Sequence, residues 1–143
     1  MLSRRHLLAL IPLAAATTLP QLTRATPDTL DVAEARDAAL AGEILLIDIR
    51  TPAEWEASGI ADVAHPLSMI DRGFTRDFVA LLEANPGKRP AFICAQGVRS
   101  ARLIRLMASR GLENTVDVPA GMLGTPDGWI ARGLPIKRIT PEG

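Results

Sequence analysis

FICAQGVRSARL, residues 92–103, reads as a strand, a loop and the start of a helix. The apolar run that opens at Pro90 stops at Cys94, as a buried strand does when it reaches its loop. Gly97 permits a tight backbone turn. From Arg99 to Arg110 the apolar residues Leu103, Ile104 and Met107 recur at helical spacing, and Gly111 ends the run. Cys94 is also the only cysteine in the chain. Two readings follow: an inert packing thiol, or a nucleophile at the mouth of a strand–loop–helix turn.

The same grammar extends to both sides. Asp31 and Glu34 form a capping box, Val32, Ala35, Ala39 and Leu40 follow at helical spacing, and Gly42 closes that helix. Ile44 to Ile49 is a continuous apolar run of strand length, broken only by Asp48. Thr51-Pro52-Ala53-Glu54 starts a second helix, with Pro52 suited to its first position. Val63–Pro66 and Thr115–Val118 read as short strands. Thr75–Ala84 reads as a helix with Phe78, Leu81 and Leu82 on one face. Trp129, Ile130, Leu134 and Pro135 are expected to cover the end of the fold. Strands and helices in short alternating units predict an α/β fold with a mainly parallel sheet covered by helices.

The 143 residues suit one domain, and 48% hydrophobic content is enough for a real core. Charge balances to zero and aromatic residues are 3%, which argues against a nucleic-acid surface. One cysteine and two histidines make a structural metal site improbable and an internal disulfide impossible.

Residues 1–25 have the anatomy of an export signal: Arg4 and Arg5, an apolar stretch from His6 to Leu19, and small residues Thr23 and Ala25 before a cleavage point. Ser3-Arg4-Arg5 followed by Leu7 and Leu8 resembles the twin-arginine signal, with Ala9 where a lysine is common. The apolar stretch falls short of the about 20 residues that span a bilayer, so removal rather than anchoring is expected. Export implies a bacterial periplasmic protein without stable membrane association. Three of the 16 basic residues would leave with the signal while all 16 acidic residues stay, giving a mature formal charge of −3. Residues 26–29 read as a linker, 30–138 as the domain and 139–143 as a tail.

In parallel α/β sheets, sites lie beyond the carboxyl ends of the strands, where Cys94 falls. Successive N–H groups of Ala95, Gln96, Gly97 and Val98 can turn inward as an anion nest, reinforced by the N-terminal dipole of the following helix. Arg99 adds a fixed positive charge. Such a field favours the thiolate, the reactive form of cysteine. Ser100 is placed either to cap the helix or to donate a hydrogen bond to the sulfur.

Cys94-Ala-Gln-Gly97-Val-Arg99-Ser100 resembles the C-x-x-G-x-R-S/A active-site loop of rhodanese-family sulfurtransferases. Leu46-Ile-Asp48-Ile-Arg50-Thr-Pro-Ala-Glu54-Trp55 is similar to the family's IDVR-x-x-x-E-[YFW] segment, and Gly121, Trp129 and Gly133-Leu-Pro135 to its GG…W…GLP ending. The likeness runs from Leu30 to Ile136. It implies a single domain with a five-stranded parallel sheet and helices on both faces. It also implies double displacement without a metal or organic cofactor. Cys94 takes the outer sulfur of a small anionic donor such as thiosulfate, holds it as a persulfide, and yields it to cyanide, a small thiol or a protein acceptor. The loop amides would hold the sulfur's charge.

Two stretches depart from the family pattern. Ser58-Gly59-Ile60-Ala61 lacks the histidine of GHIPGA, and Met122–Asp127 lengthens the ending. Asp48 and Arg50 share one side of a strand, and a buried pair there is expected to position the cysteine loop. Glu54 and Trp55 are read as a helix start and a core aromatic; Met122 and Leu123 as pocket lining or packing. The rival chemistry is phosphate or arsenate on a Cys-x5-Arg loop, but Cys94 to Arg99 is Cys-x4-Arg, a smaller nest suited to one sulfur. A second rival is a persulfide carrier or binding module that uses the same loop without rapid turnover.

Overall fold

Strand β2 (Ile44–Asp48) is buried at every position, without alternation, so both of its faces must be covered. The computed structural model, which describes residues 28–139, shows what covers them. β2 lies between β4 (His65–Pro66) and β5 (Arg89–Ile93), in a sheet that continues through β6 (Val116–Asp117) to β1 (Asp28–Thr29). All four pairings in this five-stranded sheet are parallel, with the order β1-β6-β5-β2-β4. A small antiparallel pair, β3 (Ile60–Ala61) with β7 (Ile136–Lys137), closes one corner.

The residues of β2 divide between two cores. Ile44 and Leu46 meet Val32 and Ala35 of helix α1 (Val32–Leu40), together with Met122 and Trp129. Leu45 and Ile47 meet Phe78 of α3 (Phe74–Glu83) and Leu103 and Ile104 of α4 (Val98–Ser109). Helices therefore pack on both faces, as the alternating sequence predicts. The predicted capping box forms, Asp31 with Glu34 at α1, and the helix start read at Thr51 proves to be a second one, Thr51 with Glu54 at α2 (Pro52–Ser58).

Several expectations need correction. Asp28 and Thr29, read as linker, pair in register with Val116 and Asp117 as the sheet's edge strand. Ile139, assigned to the tail, packs against the first core. Ile130 and Pro135 are exposed, and only Trp129 and Leu134 of that group cover the core. The strands expected at 63–66 and 115–118 shorten to their last and central two residues. The export signal at 1–25 lies outside the described residues.

At the carboxyl end of β2 the chain buries a full ion pair. Arg50 and Asp48 are both wholly inaccessible and 2.7 Å apart. The Asp48 carboxylate accepts from Arg50 Nε and Nη2, the Arg50 backbone N–H and Trp55 Nε1. Arg50 Nη1 also donates to Ser58 Oγ and Nη2 to the Gly59 carbonyl, each at 2.7 Å. The pair thus ties the middle and the C-terminal end of α2 to β2, through Trp55, Ser58 and Gly59; its hydrogen bonds go to this helix and not to the cysteine loop. Replacing Arg50 by Met leaves the Asp48 charge buried without its cation. A loss of about 3–5 kcal/mol is expected in urea unfolding, with partial recovery when Asp48 is also replaced by Leu.

Candidate active site

β5 ends at Ile93, α4 begins at Val98, and Cys94 is the first residue of the short loop between them. The loop reverses direction at Gly97, whose φ of 84° suits glycine alone. That turn brings the Gly97 N–H to 3.1 Å from Cys94 Sγ. The sulfur therefore sits over the N-terminus of α4 and faces an amide donor. Ser100 Oγ lies 3.7 Å from the sulfur on the other side, and it donates to the Gly97 carbonyl at 3.2 Å. Ser100 is wholly buried and fills neither role weighed for it from sequence: α4 has no side-chain cap, and the Ser100 hydroxyl accepts from the Cys94 thiol while giving its own hydrogen to the Gly97 carbonyl.

Cys94 itself is 1% exposed. Ala95 is half-buried, while Gln96 and Val98 are exposed. The segment after β6 holds the loop from behind. Met122 N–H donates to the Cys94 carbonyl and Leu123 N–H to the Ala95 carbonyl, both at 2.8 Å. Gly97 and Gly121 are the contact points: a Cβ on Gly97 would strike the Pro119 carbonyl, and one on Gly121 the Ala95 carbonyl. Of the two apolar residues expected near the mouth, Met122 is core and Leu123 is exposed.

Arg99 does not point its charge at the sulfur as its main contact. Its guanidinium forms a two-pronged pair with Glu54, at 2.6 and 2.8 Å. The same carboxylate also accepts from the Thr51 N–H and hydroxyl, both at 3.0 Å. The Arg99 hydrogen bonds, aided by Thr51, hold the Glu54 carboxyl down to about 2, against the opposing effect of burial. Glu54 was legible as a helix cap, but its pairing with a residue 45 positions away has no local signal. It joins α2 to the cysteine loop. Because Asp48 and Arg50 fix α2, they support the loop through Glu54.

The fold is thus an α/β domain with a buried thiol at a strand end, faced by an amide of its own loop and by a helix N-terminus. The chain belongs to the Rhodanese-like domain family, which matches residues 31–124. It is 28% identical over 102 residues to a sulfurtransferase of Allochromatium vinosum, covering 71% of this chain and 83% of that protein. It resembles the solution structure of a homodimeric polysulfide-sulfur transferase from Wolinella succinogenes, with TM-score 0.59 and 25% identity over 81% of this chain and 82% of that one. A crystal structure from M. tuberculosis shares the fold, with TM-score 0.62 and 21% identity, covering 80% of this chain and all of the other.

Two expectations follow from the geometry. Gly97→Ala adds a Cβ where the Pro119 carbonyl lies and strains a left-handed turn. It should cut the rate of Cys94 persulfide formation at least about 10²-fold, the scale of losing one anion donor, as read by stopped-flow single turnover. For Glu54, the folded carboxyl is depressed from 4.5 to about 2, so its contribution is full above pH 4.5 and is lost as pH falls toward 2. Urea midpoints measured across that window should fall less steeply in Glu54→Gln than in the parent.

Proposed function

We propose that this protein is an exported sulfurtransferase that moves a sulfane sulfur from a donor such as thiosulfate to a nucleophilic acceptor through a persulfide on Cys94. In the first half-reaction the Cys94 thiolate attacks the outer sulfur of thiosulfate. The donor's S–S bond breaks, sulfite leaves with the electron pair, and Cys94 keeps the sulfur as a persulfide anion. In the second, cyanide or a thiol attacks that outer sulfur, and thiocyanate or a new persulfide departs as the Cys94 thiolate returns. Splitting the transfer in two lets one nucleophile serve both partners. No metal or organic cofactor takes part in either half.

The observation that carries this reading is the Gly97 N–H directed at Cys94 Sγ from 3.1 Å, at the mouth of α4. An amide and a helix N-terminus aimed at sulfur favour the anion that each half-reaction passes through. Ala95, Gln96 and Val98 shape the entrance, Ser100 flanks the sulfur, and Arg99 with Glu54 holds the loop in place. The sulfurtransferase named in Allochromatium vinosum and the polysulfide-sulfur transferase of Wolinella succinogenes support the same chemistry. The twin-arginine-like leader adds the periplasm as the place of action.

A persulfide carrier serving one protein partner is the second reading. It is favoured by the 1% exposure of Cys94 and by Val98, which stands 76% exposed at the rim. A docked partner would cover such an apolar residue.

Intact-mass measurement tests both. The purified protein is treated with thiosulfate or with polysulfide, and then with cyanide, beside Cys94→Ser. A gain of about 32 Da that cyanide removes, and that the variant lacks, is expected for a covalent sulfur intermediate. No gain from either donor overturns sulfur transfer. A gain that forms but turns over negligibly with free cyanide selects the carrier.

A further inference from the structure

Helix α4 carries an exposed charge pattern that the transfer chemistry does not use. Its sequence, Val98–Ser109, holds arginines at 99, 102 and 105 and no carboxylate. At 3.6 residues per turn, Val98, Arg102, Arg105 and Ser109 fall on one stripe, with Leu106 beside it. All five are exposed, while Ser100, Leu103 and Ile104 turn to the core, so the stripe is the outward face of the helix. It begins at Val98, four residues after the buried thiol. From there it runs on the order of 16 Å along the surface.

This arrangement costs the helix stability. Arg99, Arg102 and Arg105 follow one another at i, i+3 spacing, where like charges repel. Arg99 also sits in the first turn, where the helix dipole favours a carboxylate. Glu54 offsets the charge of Arg99. Among the described residues, no side-chain hydrogen bond or ion pair engages Arg102 or Arg105, although Arg36, Arg76 and Arg89 each pair with an aspartate. Neither the core nor the cysteine loop accounts for two adjacent uncompensated cations in line with an exposed valine.

Resting on the sulfur-transfer reading, we infer that this stripe docks the protein that takes sulfur from Cys94, and that this partner presents carboxylates and an apolar side chain beside its own thiol. Cys94 is almost fully covered, so an acceptor has to be held against the mouth of its loop. Arg102 and Arg105 lie about 6 and 10 Å along the helix axis from Val98, a spacing that carboxylates one turn apart on a partner helix meet. Val98 supplies the apolar contact at the end of the stripe toward the loop. Charges of this kind steer the encounter and fix its register. An anionic lipid surface would satisfy the arginines, but it brings no thiol to receive the sulfur.

Binding is read with a thiol-free probe, so it does not depend on whether sulfur moves. The probe is a fluorescein-labelled helical peptide with glutamates at i and i+3, a leucine one turn before them, and serine in place of cysteine. Its control carries lysine at each glutamate. Anisotropy titrations with the purified protein at low salt should show the glutamate peptide binding at least about tenfold more tightly, a gap that closes at high salt. Arg102→Glu combined with Arg105→Glu should reverse the preference without moving the urea midpoint or the rate of persulfide loss to cyanide. Equal affinity for the two peptides, or a preference that survives the double charge reversal, overturns the inference. So does tighter binding to phosphatidylglycerol vesicles than to the glutamate peptide. The cysteine forms of both peptides are then mixed with persulfide-loaded protein. The glutamate form should gain about 32 Da several-fold faster than the lysine form, in the parent and not in the double variant. Sulfur passed to both peptides at equal rates overturns the docking role while sulfur transfer stands. A protein that gains no sulfur from any donor, yet binds the glutamate peptide, sinks sulfur transfer and leaves the surface standing.

Discussion

The buried Asp48–Arg50 pair is the constraint on which the site depends. Two charges with no access to water are costly to bury, and here each guanidinium nitrogen donates to the protein: to Asp48, Ser58 Oγ or the Gly59 carbonyl. The result is a fixed distance between the end of β2 and helix α2. Glu54 rides on that helix, and its carboxylate grips Arg99 at the start of α4. A chain of polar contacts thus runs from the ion pair through α2 to the helix that follows the cysteine loop.

A second constraint comes from backbone meeting backbone. The loop around Cys94 and the segment 119–123 approach so closely that side chains are excluded at Gly97 and Gly121. The N–H groups of Met122 and Leu123 bond to the carbonyls of Cys94 and Ala95. With those carbonyls engaged from behind, the loop turns the Gly97 amide toward the sulfur. Preorganisation of this kind places the donor before any charge develops, so little reorganisation is left for the reaction itself. The stretch that departs from the family ending thus begins with two residues that brace the loop.

Much of the fold was legible because its signals are local. Capping boxes at Asp31 and Thr51 name two helix starts, and the run Ile44–Ile49 names a strand covered on both sides. The cysteine loop was legible for the same reason: Cys94, Gly97, Arg99 and Ser100 sit within one turn-and-helix signal. What was missed has no such signal. Asp28 and Thr29 are two exposed residues of linker composition, and only pairing with Val116 and Asp117 makes them a strand. Ile130 looked like core by hydrophobicity, yet the turn after Gly128 points it outward while Trp129 turns in. Glu54 was assigned wholly to its cap, although a carboxylate has enough lone pairs to serve a cap and an arginine together.

By itself, the sequence determined the class of fold, the order of its elements, and the place of the single cysteine at the start of its strand–loop–helix turn. Those properties follow from hydrophobic period, caps and turn residues, which act over a few positions. Only the tertiary structure decided where the charges go. It turned Arg99 toward Glu54 and directed Asp48 and Arg50 to α2. The partners in those pairings that span elements lie on separate strands and helices, and charge has no periodicity that reveals a distant partner. Packing of the parallel sheet brings them together, and the chemistry of Cys94 depends on that result.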